Sequence, residues 1–399
     1  MRITIECDVP AFVPSGMGVS TRGLLSELFL DRSFEFHCVF SSDAPQTEWM
    51  SSLGQCPNVQ IHRSRYSKRI QSLRQLAGRS HSLSLTTGVR ADVSLLLNPI
   101  LPDISDSPHL CVVWDLSSVR LEAPSSVPWH GRTLARRALR GCARRSVRLL
   151  AISQYTRSDL ADWTGISAAG IGLLPLGIDP AWRRSVAEEE VVRVQRVHRI
   201  HRPYFCWSGE ITKRKNVDGL LPAYADAFQR HGEEFPDLVL VGKTGRDSED
   251  IDDLPSRLGI EHKVHRLPRL GIDQLIPVVS GARAFIFPSW YEGFGLPVVE
   301  ALARGVPVAV SNRTSLPEVG GPTALVFDPA SRTGMRDSLT QLAFDEELQE
   351  RTQAEGPAWA SKFSYSAAAA VLRGEILAAA HVRTEPDCLD FRQAGVGDR

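Results

Sequence analysis

Short apolar runs alternate with amphipathic helical stretches along the chain, and this alternation constrains the fold more than any other feature of the sequence. The runs 238–241 (Leu-Val-Leu-Val) and 284–287 (Ala-Phe-Ile-Phe) are apolar at every position, as strands of a parallel sheet covered on both faces are. Repeated strand–helix units predict a doubly wound α/β architecture. The predicted strands are 2–7, 34–40, 58–62, 92–97, 110–114, 147–152, 171–175, 204–207, 237–242, 263–267, 283–287, 306–310 and 323–327. The predicted helices are 18–30, 132–146, 154–162, 216–230, 272–280, 297–304 and a last group within about 345–381.

The length of the chain predicts two domains. A single hydrophobic core stops growing at about 250–300 residues, and this sequence has 399. A charged segment rich in Glu, Arg and His, residues 183–202, precedes the second half. We therefore expect one Rossmann-like domain at 1–180 and a second at 181–360, joined by a linker near 178–202. The polar tail 384–399 is expected to be disordered.

The composition excludes several classes of protein. Lys plus Arg and Asp plus Glu each number 46, so the basic excess of a nucleic-acid binder is missing. The seven cysteines are scattered without a C-x2-C pair, which argues against a disulfide framework or a zinc site and favours a reducing compartment. No apolar run reaches the roughly 18 residues of a spanning helix, and charges come too early for a signal peptide. A cytoplasmic protein is expected.

The segment 288–303 (Pro-Ser-Trp-Tyr-Glu-Gly-Phe-Gly-Leu-Pro-Val-Val-Glu-Ala-Leu-Ala) is the most informative part of the sequence. A strand ends before it, a loop bracketed by glycines follows, and Pro297 stands where the start of a helix tolerates a residue without an N–H group. The N–H groups near Gly295 and Leu296 would then form an anion site at the carboxyl edge of the sheet. Open α/β sheets bind their ligands at that edge.

Two carboxylates flank this anion site. Glu292 lies in the loop before it, and Glu300 lies one turn inside the helix, on the same side as Pro297. If a sugar diphosphate binds at the helix start, one carboxylate can reach the sugar hydroxyls and the other can accept both hydroxyls of a ribose. The alternative is that both are ordinary charges favoured at a helix start by its dipole.

Glu292 and Glu300, with Gly-Phe-Gly-Leu-Pro between them, resemble the E-x7-E signature of the retaining glycosyltransferases of family 4. Other segments resemble that family in the expected order up to about residue 330. Residues 15–18, after the first strand, resemble its phosphate-facing glycine loop, and the others are 151–160, 174–179, 209–216, 238–243 and 315–319. The resemblance implies an α/β fold of the GT-B type, with two Rossmann-like domains facing across a cleft. The N-terminal domain would present the acceptor, the C-terminal domain would hold the nucleotide sugar, and a last helix at 361–383 would cross back to the N-terminal domain.

The resemblance also implies the residues of the site. Glu292, Arg214 and Lys215 are expected to be catalytic. The expected donor contacts are Gly16, Gly18, Trp114, Gly209, Phe294, Gly295, Leu296 and Glu300. The basic residues have a physical reason, because a departing nucleoside diphosphate develops negative charge that a positioned cation stabilises; a solvated turn is the alternative. Glu210 stands where the family often has Arg, so Arg214 would supply the missing charge.

Trp114 is a second departure from the family pattern. The segment 111–120 resembles a strand that ends in His-Asp-Leu, where the His faces the donor sugar, and here Trp takes the place of that His. An indole cannot make the same hydrogen bond to a sugar hydroxyl but offers a broad apolar face. It would suit a deoxysugar donor, would weaken catalysis, or would fill the wall between the domains; the sequence does not decide among the three.

The function implied is transfer of a hexosyl or deoxyhexosyl group from a nucleotide-diphosphate sugar to a hydroxyl or amine acceptor, with retention of configuration, in glycan or natural-product biosynthesis. No cofactor and no metal are expected, because Arg214, Lys215 and the helix start would neutralise the diphosphate. The partners expected are the nucleotide-sugar donor and a hydroxyl-bearing acceptor, and no nucleic acid. Two alternatives stay open, namely a nucleotide-sugar epimerase on the same fold and a non-catalytic partner that binds sugar nucleotides.

Several other motifs give only weak indications of function. Arginines at 132, 136, 140 and 144 lie on one side of a predicted helix, which allows weak peripheral contact with a membrane but is more typical of a solvated face. Asp250-Ile-Asp252 has the spacing of a metal motif from the other major glycosyltransferase fold, in an unsuitable polar context. A P-loop before Lys243 is excluded because Asp237 stands where its first glycine is needed. The pairs His198/His201 and His262/His265 have no third ligand at a helical spacing.

Overall fold

The computed structural model describes residues 1–12, 16–76, 83–99, 107–120, 129–145, 148–200, 203–245 and 248–382. Its contacts divide the chain into two compact units. The first contains Met1–Val119, Val127–Asp179 and Phe363–Arg399, and the second contains Arg120–Ser126 and Pro180–Lys362. The chain therefore leaves the first unit after Asp179 and returns to it at Phe363. The tail 384–399, for which disorder is predicted, lies outside the described residues.

The first unit is built on a parallel sheet. Its strands are β1 (Arg2–Glu6), β2 (Glu35–Phe40), β3 (Val59–Arg63), β4 (Val93–Leu96), β5 (His109–Val113), β6 (Arg148–Ala151) and β7 (Ile171–Leu173). They are paired in the order β3-β2-β1-β4-β5-β6-β7. The strand order reverses between β1 and β4, and this is the position where doubly wound sheets open a crevice for ligands. The central strands β4 and β5 are buried along their whole length, as their apolar sequences predict.

Helices cover this sheet. They are α1 (Asp8–Phe12), α2 (Gly16–Leu28), α3 (Glu48–Leu53), α4 (Lys68–Leu76), α5 (Leu83–Thr87), α6 (Trp129–Arg145), α7 (Gln154–Thr164) and, from the end of the chain, α16 (Tyr365–Val382). The last helix packs against α2, where the ring of Tyr365 occupies the space that a side chain at Gly23 would need. The same ring lies against Gly177. The C-terminal helix therefore packs on the first unit through Tyr365, whose ring fills the space beside these two glycines.

The second unit repeats the architecture with six parallel strands among its described residues. They are β8 (Tyr204–Ser208), β9 (Asp237–Val241), β10 (Val264–Leu267), β11 (Ala284–Phe287), β12 (Val308–Ser311) and β13 (Leu325–Phe327), in the order β10-β9-β8-β11-β12-β13. The helices are α8 (Glu188–Val197), α9 (Val217–His231), α10 (Leu254–Arg257), α11 (Ile272–Ser280), α12 (Leu296–Ala303), α13 (Leu316–Gly320), α14 (Arg332–Phe344) and α15 (Glu346–Ala360). The strand order reverses between β8 and β11.

Most predicted elements are confirmed, and three expectations are corrected. Residues 178–202 are not a plain linker, because they contain α8, whose first turn carries three glutamates that favour a helix N-terminus. The glycine loop expected after β1 is absent at Gly16 and Gly18, which lie in the first turn of α2, while α1 occupies part of the preceding segment. Helix α14 was not among the predicted elements; it is capped by Ser331, whose hydroxyl accepts the N–H of Gly334.

Candidate functional site

The candidate site of the second unit lies at the carboxyl ends of β8 and β11, which are hydrogen-bonded neighbours at the point where the strand order reverses. Strand β8 leads into the segment from Gly209 to Asn216, and β11 leads into the loop from Pro288 to Gly295. Because parallel strands end at the same edge, two segments about 80 residues apart in sequence become adjacent. The residues that the sequence predicts as catalytic all lie on these two segments.

Gly209 begins the first of these segments with a backbone that only glycine adopts without strain. Its φ is +152°, and the φ of Gly242, after β9, is +140°. A Cβ atom on Gly242 would overlap the carbonyl oxygen of Gly209. The two backbones therefore touch, and the predicted donor contact Gly209 is held in place by the end of the neighbouring strand.

Hydrogen bonds between the two segments fix their relative position. The N–H of Trp290 donates to the carbonyl oxygen of Arg214 at 2.8 Å. The side-chain amide of Asn216, which is buried and has a φ of +56°, donates to the carbonyl oxygens of Pro288 and Pro329, each at 3.1 Å. Arg214 also donates to the carbonyl oxygen of Tyr291. These hydrogen bonds therefore hold the segment 209–216 and the loop 288–295 in a fixed position relative to each other.

The loop that carries Glu292 is braced from its other side by the residues that follow β12. The hydroxyl of Ser315 donates to the carbonyl oxygens of Glu292 at 2.9 Å and of Phe294 at 2.7 Å. The N–H of Glu292 donates to the hydroxyl of Thr314 at 3.0 Å. Phe294 is buried, as is Ser315. This explains why the segment 315–319 accompanies the Glu292 loop in the sequence pattern.

The three predicted catalytic residues meet in one ion cluster. One oxygen of Glu292, Oε1, lies 2.6 Å from Nζ of Lys215 and 3.1 Å from Nη1 of Arg214. The glutamate side chain is 10% exposed and that of Lys215 13%, so the cluster is largely screened from water. Burial alone would raise the pKa of Glu292, but the two cations outweigh it and lower the pKa to about 2. The glutamate is therefore ionised at every physiological pH.

Helix α12 starts at Leu296, in the segment where an anion site is expected. Gly295 is the N-cap with a φ of +115°, and a Cβ there would come within 2.7 Å of the Leu316 side chain. Leu296 and Pro297 form the first turn of the helix, and Glu300 follows one turn later, half-buried. Glu210, the departure from the family pattern, is exposed and pairs with Lys243 at 3.1 Å instead of joining the ion cluster.

The remaining predicted donor contacts, Gly16, Gly18 and Trp114, belong to the first unit. Trp114 directly follows β5 and is 7% exposed, and its indole N–H donates to the carbonyl oxygen of Leu97 at 2.6 Å. Its ring lines a cavity beside Glu6 and Asp8. Neither acid was predicted as a site residue. Their position at the carboxyl end of a buried strand, β1, was the signal that could have indicated a role.

Residues 189–359 match the model of the family "Glycosyl transferases group 1". The match lies within the second unit and covers less than half of the chain.

Relatives with assigned activities agree with this match. The O-antigen chain mannosyltransferase B of Escherichia coli is 32% identical over 217 residues, which cover 54% of this chain and 57% of that protein. A D-inositol 3-phosphate glycosyltransferase of Corynebacterium jeikeium is 31% identical over 170 residues, 41% of each chain. The chain thus spans about half the length of the relatives that it matches. The resemblance to glycosyltransferases of the family 4 type is confirmed.

Solved structures share the fold over nearly the whole chain. HepE of Anabaena, crystallised with UDP and glucose, has a TM-score of 0.71 at 16% identity and covers 95% of this chain and 100% of its own. WaaG, a glycosyltransferase involved in lipopolysaccharide biosynthesis, has a TM-score of 0.68 at 14% identity and covers 94% and 99%. The predicted fold class, two parallel α/β domains of the GT-B type, is confirmed.

The lesser motifs find structural partners within their own units. Asp252 pairs with Arg266 at 3.2 Å, and the described residues hold no group of three or more His, Cys, Asp or Glu suited to a metal. His265 binds Asp237 at 2.8 Å, and His201 lies outside the described residues. In the arginine row, Arg136 donates to the carbonyl oxygen of Val119 and Arg140 lies over the ring of Trp163. No described helix is long and apolar enough to cross a membrane.

Proposed function

We propose that the protein is a glycosyltransferase that moves a sugar from a nucleotide-diphosphate donor to a hydroxyl or amine group of an acceptor, with retention of anomeric configuration. The observation that carries this proposal is the ion cluster of Glu292, Arg214 and Lys215 at the reversal point of the second sheet. Two cations beside a helix start suit a diphosphate. The UDP and glucose bound to the HepE structure and the mannosyltransferase relative support the same class of donor.

The ion cluster has a consequence for donor binding. Without donor, Glu292 forms ion pairs with both Arg214 and Lys215. A diphosphate would take over these cations, which frees oxygens of Glu292 to accept hydrogen bonds from the sugar hydroxyls. Glu300, one turn inside α12, would accept hydrogen bonds from the ribose. The three side chains together carry an excess of positive charge, which suits an anionic substrate such as a diphosphate.

The chemical step follows from this arrangement. The bond between the anomeric carbon and the phosphate oxygen breaks, and both electrons pass to the phosphate. The acceptor oxygen forms its bond on the same face of the sugar, and its proton passes to the leaving phosphate. Arg214 and Lys215 would stabilise the growing charge on the diphosphate, so the proposed reaction needs no metal.

Lys215→Met separates this proposal from simple nucleotide binding. We expect kcat to fall by about a hundredfold or more, because the cation acts most strongly on charge that grows in the transition state. The affinity for the nucleoside diphosphate, measured by calorimetry, should fall by much less. Lys213→Met is the matched control, since Lys213 lies in the same turn but is exposed.

Three results would contradict the proposal. Equal losses of turnover and affinity would mean that Lys215 only binds the nucleotide. Conversion of the donor sugar by the wild type in the absence of any acceptor would indicate an epimerase instead. Nucleotide binding without turnover across a broad acceptor panel would indicate a non-catalytic partner.

A further inference from the structure

The first unit contains a cavity of about 330 Å³ at the carboxyl ends of its central strands. Its wall includes Glu6 and Asp8, which end and follow β1, and Trp114 and Asp115, which follow β5. It lies where the strand order of the first sheet reverses, which is the ligand position of open α/β sheets. The Glu292 cluster belongs to the other unit and does not account for these residues.

The two acids are built into the wall and not merely exposed there. Glu6 is 7% exposed and Asp8 5%. The Oε1 atom of Glu6 accepts the N–H of Asp8 at 2.9 Å, and Oδ1 of Asp8 accepts the N–H of Ser41 at 2.8 Å. The second oxygen of Glu6, Oε2, is buried and has no hydrogen-bond partner among the described residues. Because the residue Glu6 lines the cavity, a ligand bound there is a candidate for the missing partner.

The charges around these acids favour a cationic ligand. Burial, followed by the nearby charge of Asp8, raises the pKa of Glu6 to about 8, and burial also raises the pKa of Asp8. Lys68, an exposed residue that lies over the ring of Phe12, lowers both values, and Asp43 raises that of Asp8. The thiol of Cys7 stays neutral because its own pKa is raised well above the ordinary value. Burial therefore outweighs the effect of Lys68, and a cationic ligand would stabilise the ionised forms of both acids.

We propose that this cavity is the acceptor subsite and takes a hydroxylated ring that carries a protonated amine, such as an amino sugar or an aminocyclitol. The amine would donate to Oε2 of Glu6 and to Asp8. The assignment of this cavity as an acceptor subsite rests on the proposed function, whereas the recognition of an amine does not.

The rest of the wall agrees with such a ligand. Glu6, Asp8 and Asp115 are acids, and Lys68 is the cation among the described residues that line the cavity, so an acceptor bearing a phosphate or carboxylate would meet mainly like charge. The indole ring of Trp114 gives an apolar face for the C–H groups of a ring. The volume lies at the small end of the range for ligand pockets, about 300–1,000 Å³, which suits one ring better than an oligosaccharide.

Calorimetric titration of the full chain, without donor, tests the proposal. The probes are glucosamine, galactosamine and mannosamine, each with its N-acetyl form and its 6-phosphate. At least one free amine should bind about tenfold or more tightly than its N-acetyl form, since a hydrogen bond between charged groups is lost on acetylation. Titration at pH 7 in two buffers of different ionisation enthalpy should show release of close to one proton, because the amine ionises a Glu6 that is protonated in the free protein.

Two conservative variants assign the effect to the acids. Glu6→Gln retains an oxygen that can accept the N–H of Asp8, and it should abolish both the amine preference and the proton release. Asp8→Asn should weaken the preference and serves as a second variant if Glu6→Gln misfolds. Lys68→Met is the matched control and should leave amine binding intact or strengthen it.

The proposal is overturned if none of the free amines binds, if N-acetyl forms bind equally well, if the 6-phosphates bind best and depend on Lys68, or if Glu6→Gln retains the preference. These results are independent of sugar transfer. Amine binding without any transfer would contradict the proposed function and leave this inference standing. Transfer to acceptors without an amine would contradict this inference and leave the proposed function standing.

Discussion

Glu292 shows how one side chain can serve both the folding and the chemistry of a site. It lies within ion-pair distance of Arg214 and Lys215 and is largely buried. Removing one member of such a cluster leaves the others charged and poorly solvated, which costs more than the cluster itself contributes. The effect of changing Glu292 should therefore appear in stability before any substrate is added.

The stability of the second unit should depend on pH through this residue. The pKa of Glu292 is lowered to about 2 in the folded protein, against about 4.3 in an unfolded chain. Its contribution is thus complete above about pH 4.3 and is lost as the pH falls from there towards 2. Glu292→Gln should lower the free energy of unfolding at pH 7 by on the order of 3 kcal/mol, and this difference from the wild type should shrink below pH 4.

Thermal unfolding of both proteins from pH 3 to pH 8 measures this difference. Glu347→Gln, at an exposed position of α15, is the control and should change little. A gap between wild type and Glu292→Gln that stays constant over the whole pH range would show that the cluster does not titrate as described.

Trp114 stands where the related family has a His, and its N–H is already bonded to Leu97. The indole therefore presents its apolar face, and the prediction of a deoxysugar donor remains open to test. A hydroxyl pressed against that face would lose a water partner, which costs about 1–3 kcal/mol, or roughly tenfold to a hundredfold in selectivity. Trp114→His should narrow or invert a preference for deoxysugar donors and leave nucleotide affinity nearly unchanged.

Paired kinetics with matched deoxy and hydroxylated donors measures this preference. Trp114→Phe is a control that keeps an apolar ring and should retain the wild-type order of donors. Identical rankings in the wild type and Trp114→His would mean that Trp114 is a packing residue only.

At the scale of elements, the turns after β8 and β9 are joined through two glycines. A side chain on Gly242 would overlap the carbonyl oxygen of Gly209, which begins the basic segment of the site. Gly242→Ala should destabilise the second unit by about 3 kcal/mol or more and displace that segment. Gly259→Ala is a matched control, because Gly259 also has a positive φ of +69° but has nothing within 4 Å of its added Cβ. It should cost only about 1–2 kcal/mol of backbone strain.

Urea unfolding of the two variants gives the comparison, and nucleotide affinity reports on the displaced segment. If Gly242→Ala lowered the free energy of unfolding no more than Gly259→Ala, the contact between the two turns would contribute little to stability.

The elements differ in how far the sequence determines them. Strands such as β11 are predictable because four consecutive apolar residues bounded by Gly and Pro fit a buried parallel strand and little else. Helix α8 was missed because its charged residues resemble those of a solvated linker; Val194 is its one buried position, and Ala187 gives it no side-chain cap. The loop predicted at Gly16 is helical because a glycine in the first turn of a helix is not distinguishable by sequence from one in a loop.

The identity of the main site residues could be predicted from the sequence, but the contacts between them could not. Motif spacing identified Glu292, Arg214 and Lys215, yet their ion cluster depends on the pairing of β8 with β11, which no local pattern contains. The acids Glu6 and Asp8 were overlooked for a related reason. A charge at the end of a strand is commonplace, and only the tertiary structure shows that these two are buried beside a cavity.

At the scale of the whole molecule, the C-terminal helix α16 belongs to the first unit although the second unit separates it in sequence from the rest. Tyr365 anchors it against Gly23 and Gly177. Tyr365→Ala should therefore destabilise the first unit by about 3–5 kcal/mol, the usual cost of deleting a buried aromatic side chain. Hydrogen exchange should become faster in α2 and remain unchanged in α9 of the second unit.

Val371→Ala, at an exposed position on the same helix, is the control and should have little effect on exchange. Equal acceleration in both units would contradict the assignment of α16 to the first unit alone.

The return of the chain to its first unit sets the order in which the protein can be completed on the ribosome. Strand β7 ends at Leu173, but the helix that covers α2 begins at Tyr365, roughly 190 residues later. At translation rates of about 5–20 residues per second, the nascent first unit waits on the order of 10–40 s with the surface around Gly23 and Gly177 uncovered. The second unit, contiguous from Pro180 to Lys362 apart from one short segment, is finished within that interval. The first domain to be synthesised is thus the last to acquire its full set of contacts, and the uncovered surface of α2 is where a chaperone would meet the emerging chain.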